Sequence, residues 1–239
     1  MRWETFDSPE ALADRAAHLM LDAIHENPRA VLGLPTGRTP IGMYERVVAE
    51  CGREYHCFRD VTTFNLDEYA GVPPDHPGSY YTYMRQHLFD HVDIDPANAH
   101  IPHGNAPDLH AECLRYEIVI HDAGGLDLTF LGLGRNGHIG FNEPGTPFDA
   151  RTRVVELTES TRKANADLFP GGVPTHAITM GIGTILESRQ IVLLVAGSGK
   201  EQALARLRGG EVTVDFPASA LHRHDDVIVL EWSAALHRH

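Results

Sequence analysis

Three loops and two isolated cations gather residue types suited to chemistry on a small anionic molecule. The richest loop runs Gly132-Leu133-Gly134-Arg135-Asn136-Gly137-His138, with Glu143 close behind. Glycines at 132, 134 and 137 let backbone amides crowd a ligand. His138 can shuttle a proton near neutral pH. Glu143 is placed to orient or recharge it, and Asn136 can donate or accept. The Gly-x-Gly-x-x-Gly spacing does not make this a dinucleotide site. It falls late in the chain, and no acidic residue ends a following strand ~20 residues on, so no nicotinamide cofactor is expected.

The second loop, Phe64-Asn65-Leu66-Asp67-Glu68-Tyr69, sets two adjacent carboxylates after an apolar run, an arrangement suited to general acid–base work. Neighbours in extended chain point opposite ways. One carboxylate therefore faces the site and the other is structural or solvated. Asp67, directly after Leu66, is taken as the base, although the sequence does not separate it from Glu68. The third loop, Leu34-Pro35-Thr36-Gly37-Arg38-Thr39-Pro40, combines a permissive glycine, the Thr36 and Thr39 hydroxyls, Arg38 and a helix start, a combination that binds phosphate. A Walker-type GxxxxGK[ST] is absent, which argues against a nucleoside triphosphate. Arg162, early in a helix, and Lys200, after Gly197-Ser198-Gly199, are the cations that complete a phosphate site. Solvation is the usual fate of such side chains, and Lys200, at a strand-to-helix turn, escapes it better than Arg162.

The elements that must position these residues are legible from periodicity. Apolar residues at helical spacing mark 9–26, a helix opened by Thr39 as N-cap and Pro40, and further helices at 79–89, 107–123, 161–168, 175–186 and 199–208. Gly124-Gly125 stops the helix at 107–123. Short apolar runs at 30–34, 61–66, 126–133, 191–196 and 227–230 read as buried strands, and 71–78 as a Pro/Gly-rich loop. Strands alternating with helices predict an α/β chain of one domain over 1–239, a mostly parallel Rossmann-like sheet with helices on both faces. Ligands in such folds bind beyond the carboxyl ends of the strands. The loops after Leu34, Leu66, Leu133 and Ala196 are the expected chemistry.

Bulk properties narrow the function class. The 239 residues are 42% hydrophobic, enough for a globular core, and carry a net charge of −13. Such a field disfavours nucleic acid and anionic membranes as partners, so an anionic substrate needs a local cluster of donors. No apolar run is long enough to span a bilayer, and the first residues do not read as a secretory signal. Cys51, Cys57 and Cys113 show no CxxC spacing and are read as free thiols in a reducing compartment, the cytoplasm. The sixteen histidines include His222-Arg223-His224 and His237-Arg238-His239. Neither group has Cys or Asp at ligand spacing, so they are read as solvated, and no metal is expected.

Taken together, LPTGRTP at 34–40, FNLDEY at 64–69, HPGSYY at 76–81, GxNGHIGFNEPGTPF at 134–148, GSGKEQAL at 197–204 and, less specifically, FPASALHRH at 216–224 resemble the glucosamine-6-phosphate deaminase family, within the wider group that includes 6-phosphogluconolactonase. The resemblance runs from Val31 to about Glu231. It implies that Thr36, Gly37 and Thr39, with Arg162 and Lys200, hold a sugar 6-phosphate. It implies that Asp67 moves a proton between C2 and C1, that His138 assists opening of the pyranose ring, and that Asn136 and Glu143 position His138. It implies no metal or organic cofactor. Some relatives carry Asp at the position of Asn136, which makes Glu143 the better partner for His138 here. Val155 stands where members activated by N-acetylglucosamine 6-phosphate carry Lys, and the longer C-terminal segment of those members is missing. The expectation is an enzyme without that activation and a monomer, with a homo-oligomer left open. The third loop and FNLDEY disfavour a lactonase. The galactosamine epimer stays open. A non-catalytic sugar-phosphate sensor is disfavoured by the intact base and relay.

Overall fold

The computed structural model describes residues 1–52 and 57–232. Its strands and helices, in chain order, are β1 (Arg2–Thr5), α1 (Pro9–Glu26), β2 (Val31–Leu34), α2 (Ile41–Cys51), β3 (Thr62–Asn65), β4 (Asp67–Tyr69), α3 (Tyr80–His87), β5 (Ala99–His100), α4 (Leu109–Asp122), β6 (Leu128–Gly132), β7 (Arg153–Glu156), α5 (Glu159–Ala164), β8 (His176–Thr179), α6 (Ile182–Leu186), β9 (Gln190–Ala196), α7 (Glu201–Arg208) and β10 (Val227–Trp232). Seven strands form one sheet in the order β1-β10-β9-β6-β2-β3-β5, with every pairing parallel.

Side chains alternate across a strand, and the core divides accordingly. Leu32, Leu34, Val192, Leu194, Ile228 and Leu230 pack on one face with Met20 of α1, Tyr44 and Val47 of α2 and Met84 of α3. Val31, Ile191, Leu193, Val195, Val227 and Val229 pack on the other with Tyr116 of α4, Ile185 of α6 and Leu204 of α7. The sheet is therefore covered on both sides, as its near-continuous apolar strands require. Local chemistry fixes the helix ends. Ser8 caps α1 by accepting from the Ala11 amide, with Pro9 in the first turn. Asp108 caps α4 through the His110 and Ala111 amides, and Gly124 and Gly125 leave it at φ 90° and 81°.

Several expectations need correction. The segment 175–186 is not one helix: His176–Thr179 is a strand and only Ile182–Leu186 is helical. β8 is the centre of a second sheet, β4-β8-β7, antiparallel throughout, which the alternation of strand and helix did not reveal. Thr39 does not cap α2. Pro40 occupies the cap position, without a side-chain bond. The helix at 161–168 is α5 followed by a separate 3₁₀ turn, Ala166–Leu168. Cys51 and Cys57 are not free but form a disulfide, Cα atoms 5.5 Å apart. Cys113 is free and buried. The pairing is set by where the end of α2 meets the chain leading to β3, which short-range spacing does not show. The thiol count therefore no longer argues for a reducing compartment. His222 and His224 are more than solvated: their Nε2 atoms bond Leu207 O (2.8 Å) and Ser188 O (2.6 Å). His237-Arg238-His239 lies outside the described residues. Among the described residues no group of three His, Cys, Asp or Glu is placed to hold a metal ion, and no helix is long and apolar enough to cross a membrane.

Candidate active site

The loops singled out by composition follow β2, β3, β6 and β9, four strands that lie side by side as β9-β6-β2-β3. From β2 the chain moves outward to β3 and β5, then returns to β6 on the other flank. The switch point thus falls between β2 and β6, where open α/β sheets bind ligands.

The loop after β2 is built to expose amides. The Tyr44 hydroxyl from α2 donates to Pro35 O (2.6 Å) and the Tyr83 hydroxyl from α3 donates to Gly37 O (2.6 Å). No hydrogen bond is made by the amides of Thr36, Gly37, Arg38 or Thr39 within the described residues. Gly37 has φ 95°, and nothing lies within 4 Å of where a Cβ would project. Four consecutive free N–H groups before a helix form an anion nest. Arg38 is exposed. It borders, with Thr39, Gly197 and Trp232, a hollow of about 320 Å³ between α1, α2 and the end of β9.

The two carboxylates after β3 are sorted by geometry. Glu68 accepts from the Tyr69 amide (2.8 Å), the Tyr80 amide (3.0 Å) and the Tyr81 amide (3.0 Å). It is therefore a buried anchor for the start of α3. Burial pushes its carboxyl up to about 7 against those three donors. Asp67 is also buried. Burial pushes it up to about 8, with the Glu68 charge adding. Its carboxylate lies across from Gly140, where a Cβ would stand 3.6 Å from Oδ2. Tyr80 connects this carboxylate to the phosphate-type loop. Burial, then Tyr69 and Asp67, raise its phenol well above the ordinary value, and it shares a hydrogen bond with Thr36.

The loop after β6 organises itself around Glu143. Asn136 Nδ2 donates to Glu143 Oε2 (2.6 Å), and Thr161 donates to Oε1 (3.2 Å). His138 Nδ1 stands 3.5 Å from Oε1, long for a hydrogen bond but within ion-pair range. The His138 amide donates to Asn136 Oδ1 (3.2 Å). Burial alone would raise the Glu143 carboxyl, but His138, Asn136 and Thr161 outweigh it and hold it below its ordinary value. The His138 ring lies on Gly134, where any Cβ would approach it to 2.4 Å, so a glycine is required there. Gly132 is half-buried at the end of β6, with open space where its side chain would be. The turn between His138 and Glu143 is pinned from beneath. Asn142 Nδ2 donates to Ile139 O and Met180 O (both 2.9 Å), and its Oδ1 accepts from Arg153 Nη1 at 2.8 Å.

Of the remaining predicted cations, Lys200 stands at the start of α7 with Nζ on Leu133 O. Burial, then the Arg135 charge, pull its ammonium below the ordinary value. Arg162 lies in α5 with a buried Nε that has no partner. The structure thus gathers Asp67 near Thr36 through Tyr80, and Asn136, His138 and Glu143 into one cluster. Lys200 stands against the base of that cluster's loop.

Sequence reasoning gave no role to Tyr80, Tyr83, Thr161, Arg153 or Arg135. Tyr80 lay within a quoted motif, and Arg135 within the richest loop, but only the fold shows what each touches. A cavity of about 620 Å³ lies elsewhere, beside β5, lined by Tyr81, Arg85, His100 and Arg115. It holds none of the predicted residues. The open strand ends suit a small polar ligand, and there the unpaired donors and the perturbed carboxylate coincide.

The chain has relatives among known proteins. The sequence profile of the family described as glucosamine-6-phosphate isomerases/6-phosphogluconolactonase matches residues 6–230. The chain is 51% identical over 227 residues to a glucosamine-6-phosphate deaminase of Bacillus pumilus, covering 94% of each. It is 52% identical over 223 residues to glucosamine-6-phosphate deaminase 1 of Bacillus subtilis, covering 92% of each. A solved structure of a monomeric glucosamine-6-phosphate deaminase superposes with a TM-score of 0.94 at 50% identity, covering 96% of both chains. A 6-phosphogluconolactonase of Thermotoga maritima, 19% identical with a TM-score of 0.76 and coverage of 97% and 99%, shares the fold.

Proposed function

The chain belongs to the family of glucosamine-6-phosphate isomerases and 6-phosphogluconolactonases, and from that premise we propose that it isomerises and deaminates glucosamine 6-phosphate to fructose 6-phosphate and ammonia. The observation that carries this reading is the placement of a buried, unpaired carboxylate, Asp67, beside an amide nest, with a His–Glu relay on the neighbouring strand end.

Thr36, Gly37, Arg38 and Thr39, with Arg162 and Lys200, hold the 6-phosphate. His138 takes the proton of O1 and returns one to the ring oxygen, opening the pyranose. Glu143 stabilises the imidazolium formed on the way, and Asn136 and Thr161 keep Glu143 in place. Gly132 leaves room for the sugar over the end of β6. Asp67 removes the C2 proton and delivers it to C1 while a proton passes from the C2 amine to O1, which leaves a C1 hydroxyl and a C2 imine. Water adds at C2 and ammonia leaves. Asp67 does this as a general base from a buried position, where its raised proton affinity matches the task.

The test is release of ammonia and fructose 6-phosphate from glucosamine 6-phosphate, with galactosamine 6-phosphate and 6-phosphogluconolactone in parallel. Turnover of the first substrate alone supports the assignment to its epimer. Lactone opening without ammonia overturns it. Binding without turnover on all three makes the chain a sensor.

We further infer that the whole chain acts as one catalytic domain and as a monomer in the cytoplasm, where phosphorylated sugars are retained by their charge. Val155, in place of a lysine, and the likeness to a monomeric deaminase support this. Expected are hyperbolic kinetics insensitive to N-acetylglucosamine 6-phosphate and sedimentation at the chain mass of 26.4 kDa. Sigmoidal kinetics abolished by that sugar would refute it.

A further inference from the structure

Arg135 has no place in the relay beside it. It is exposed on the loop after β6, yet its guanidinium turns toward the loop after β9. A Cβ built on Gly199 would stand 3.2 Å from Arg135 Nε and 3.5 Å from its Cζ. Gly199 has φ 80°, so this close approach is made at a residue that must be glycine in any case. The next residue is Lys200, whose Nζ is tied to Leu133 O, two positions before Arg135. The two cations are thus carried on adjacent strand ends and held together.

Neither has a carboxylate within ion-pair distance among the described residues, whereas Arg2, Arg15, Arg46, Arg85, Arg115, Arg151, Arg189 and Arg208 each do. In a chain with 33 acidic residues against 20 Lys and Arg, two adjacent cations without an acid form an unbalanced pair. Like charges at short range repel, and here the repulsion appears in Lys200, whose ammonium is disfavoured by Arg135 after burial. A phosphate dianion between them removes that repulsion and offers the guanidinium fork two oxygens along one tetrahedral edge.

We propose that Arg135 and Lys200 form one anion-binding pair, so that Arg135 is a second cation on the phosphate of the substrate, reaching it from the β6 side. The identity of the substrate rests on the reading above, but the anion pair does not, because inorganic phosphate alone should occupy it.

The experiment is calorimetric titration of the full chain with inorganic phosphate and, separately, with fructose 6-phosphate, comparing wild type with Arg135→Gln, Arg135→Lys and Arg189→Gln. Arg189 carries the same charge but lies just before β9, at the opposite end of the strand from the site and paired with Asp127, so its variant reports the effect of net charge alone. Arg135→Gln is expected to weaken both ligands about five- to tenfold, to flatten the salt dependence of binding, and to leave the melting temperature within error. Arg135→Lys should recover part of the loss, and Arg189→Gln should change affinity less than about twofold. Unchanged phosphate affinity in Arg135→Gln, or an equal loss in Arg189→Gln, overturns the proposal. If the chain releases no ammonia but Arg135→Gln still weakens phosphate selectively, the anion pair stands and the deaminase reading falls.

Discussion

Asp67 and Glu68 are neighbours of the same chemical type with separate fates. Three amides hold Glu68, while Asp67 is left buried beside it with its proton affinity pushed up to about 8. Glu68 itself is pushed up to about 7, so the two titrate as a coupled pair. Turnover requires the carboxylate form of Asp67. The rate should therefore rise with pH along an acidic limb with apparent midpoint between about 7 and 8. Glu68→Gln, which removes the like charge, should move that limb to lower pH in a kcat/KM profile. Asp67→Asn should lower kcat about a thousandfold and keep fructose 6-phosphate binding. Wild-type-like turnover in that variant would remove Asp67 as base.

Stability carries the same signature. A carboxyl with raised affinity binds more protons folded than unfolded, so its contribution is present below its ordinary range and lost as pH rises toward 8. Asp67→Asn should therefore be more stable than wild type at pH 8, by about 2 kcal/mol after discounting for relaxation, and nearly equal at pH 4. A denaturant midpoint that does not separate the two at pH 8 would contradict the burial argument.

At the scale of elements, the turn between His138 and Glu143 depends on β7 and β8, which carry none of the expected chemistry. Arg153 on β7 bonds Asn142, and Asn142 ties Ile139 O to Met180 O just past β8. Asn142→Ala removes three hydrogen bonds, two of them buried, and leaves a half-buried guanidinium short of an acceptor. We expect a loss of about 2–4 kcal/mol in unfolding and a fall in kcat exceeding any change in phosphate affinity, since His138 and Glu143 lose their relative placement. Equal losses in kcat and phosphate binding would point to general disorder instead.

These same elements were the ones the sequence hid. β2, β6 and β9 announce themselves as apolar runs, and α1 and α4 by period and caps. β4 is three residues long and pairs with a strand more than a hundred residues away, so no local pattern marks it. Ala177, Ile178, Met180, Ile182 and Ile185 fit a helical period as well as a strand followed by a short helix. Only burial against the turn beneath His138 separates the two. For the site, the residue types of Asp67, His138, Glu143 and Lys200 were legible because each follows a recognisable strand. The roles of Glu68, Tyr80 and Arg135 were not, because they depend on contacts between loops far apart in the chain.

At the scale of the molecule, the sheet order converts separate motifs into one site. Had β2 and β6 not been neighbours, the nest and the relay would stand on different parts of the edge. The same order places α2 and α3 where Tyr44 and Tyr83 can hold Pro35 O and Gly37 O, so the loop at 36–39 is fixed before any ligand arrives, while its amides remain unbonded. Rigid shape and absent protection rarely occur together, and isotope labelling can see the combination. In deuterated buffer these four amides should exchange at nearly the rate of an unfolded peptide, although the helix that follows them is slow. Phosphate should then mark them as a protected stretch, a footprint of the anion written on the backbone and read without any turnover.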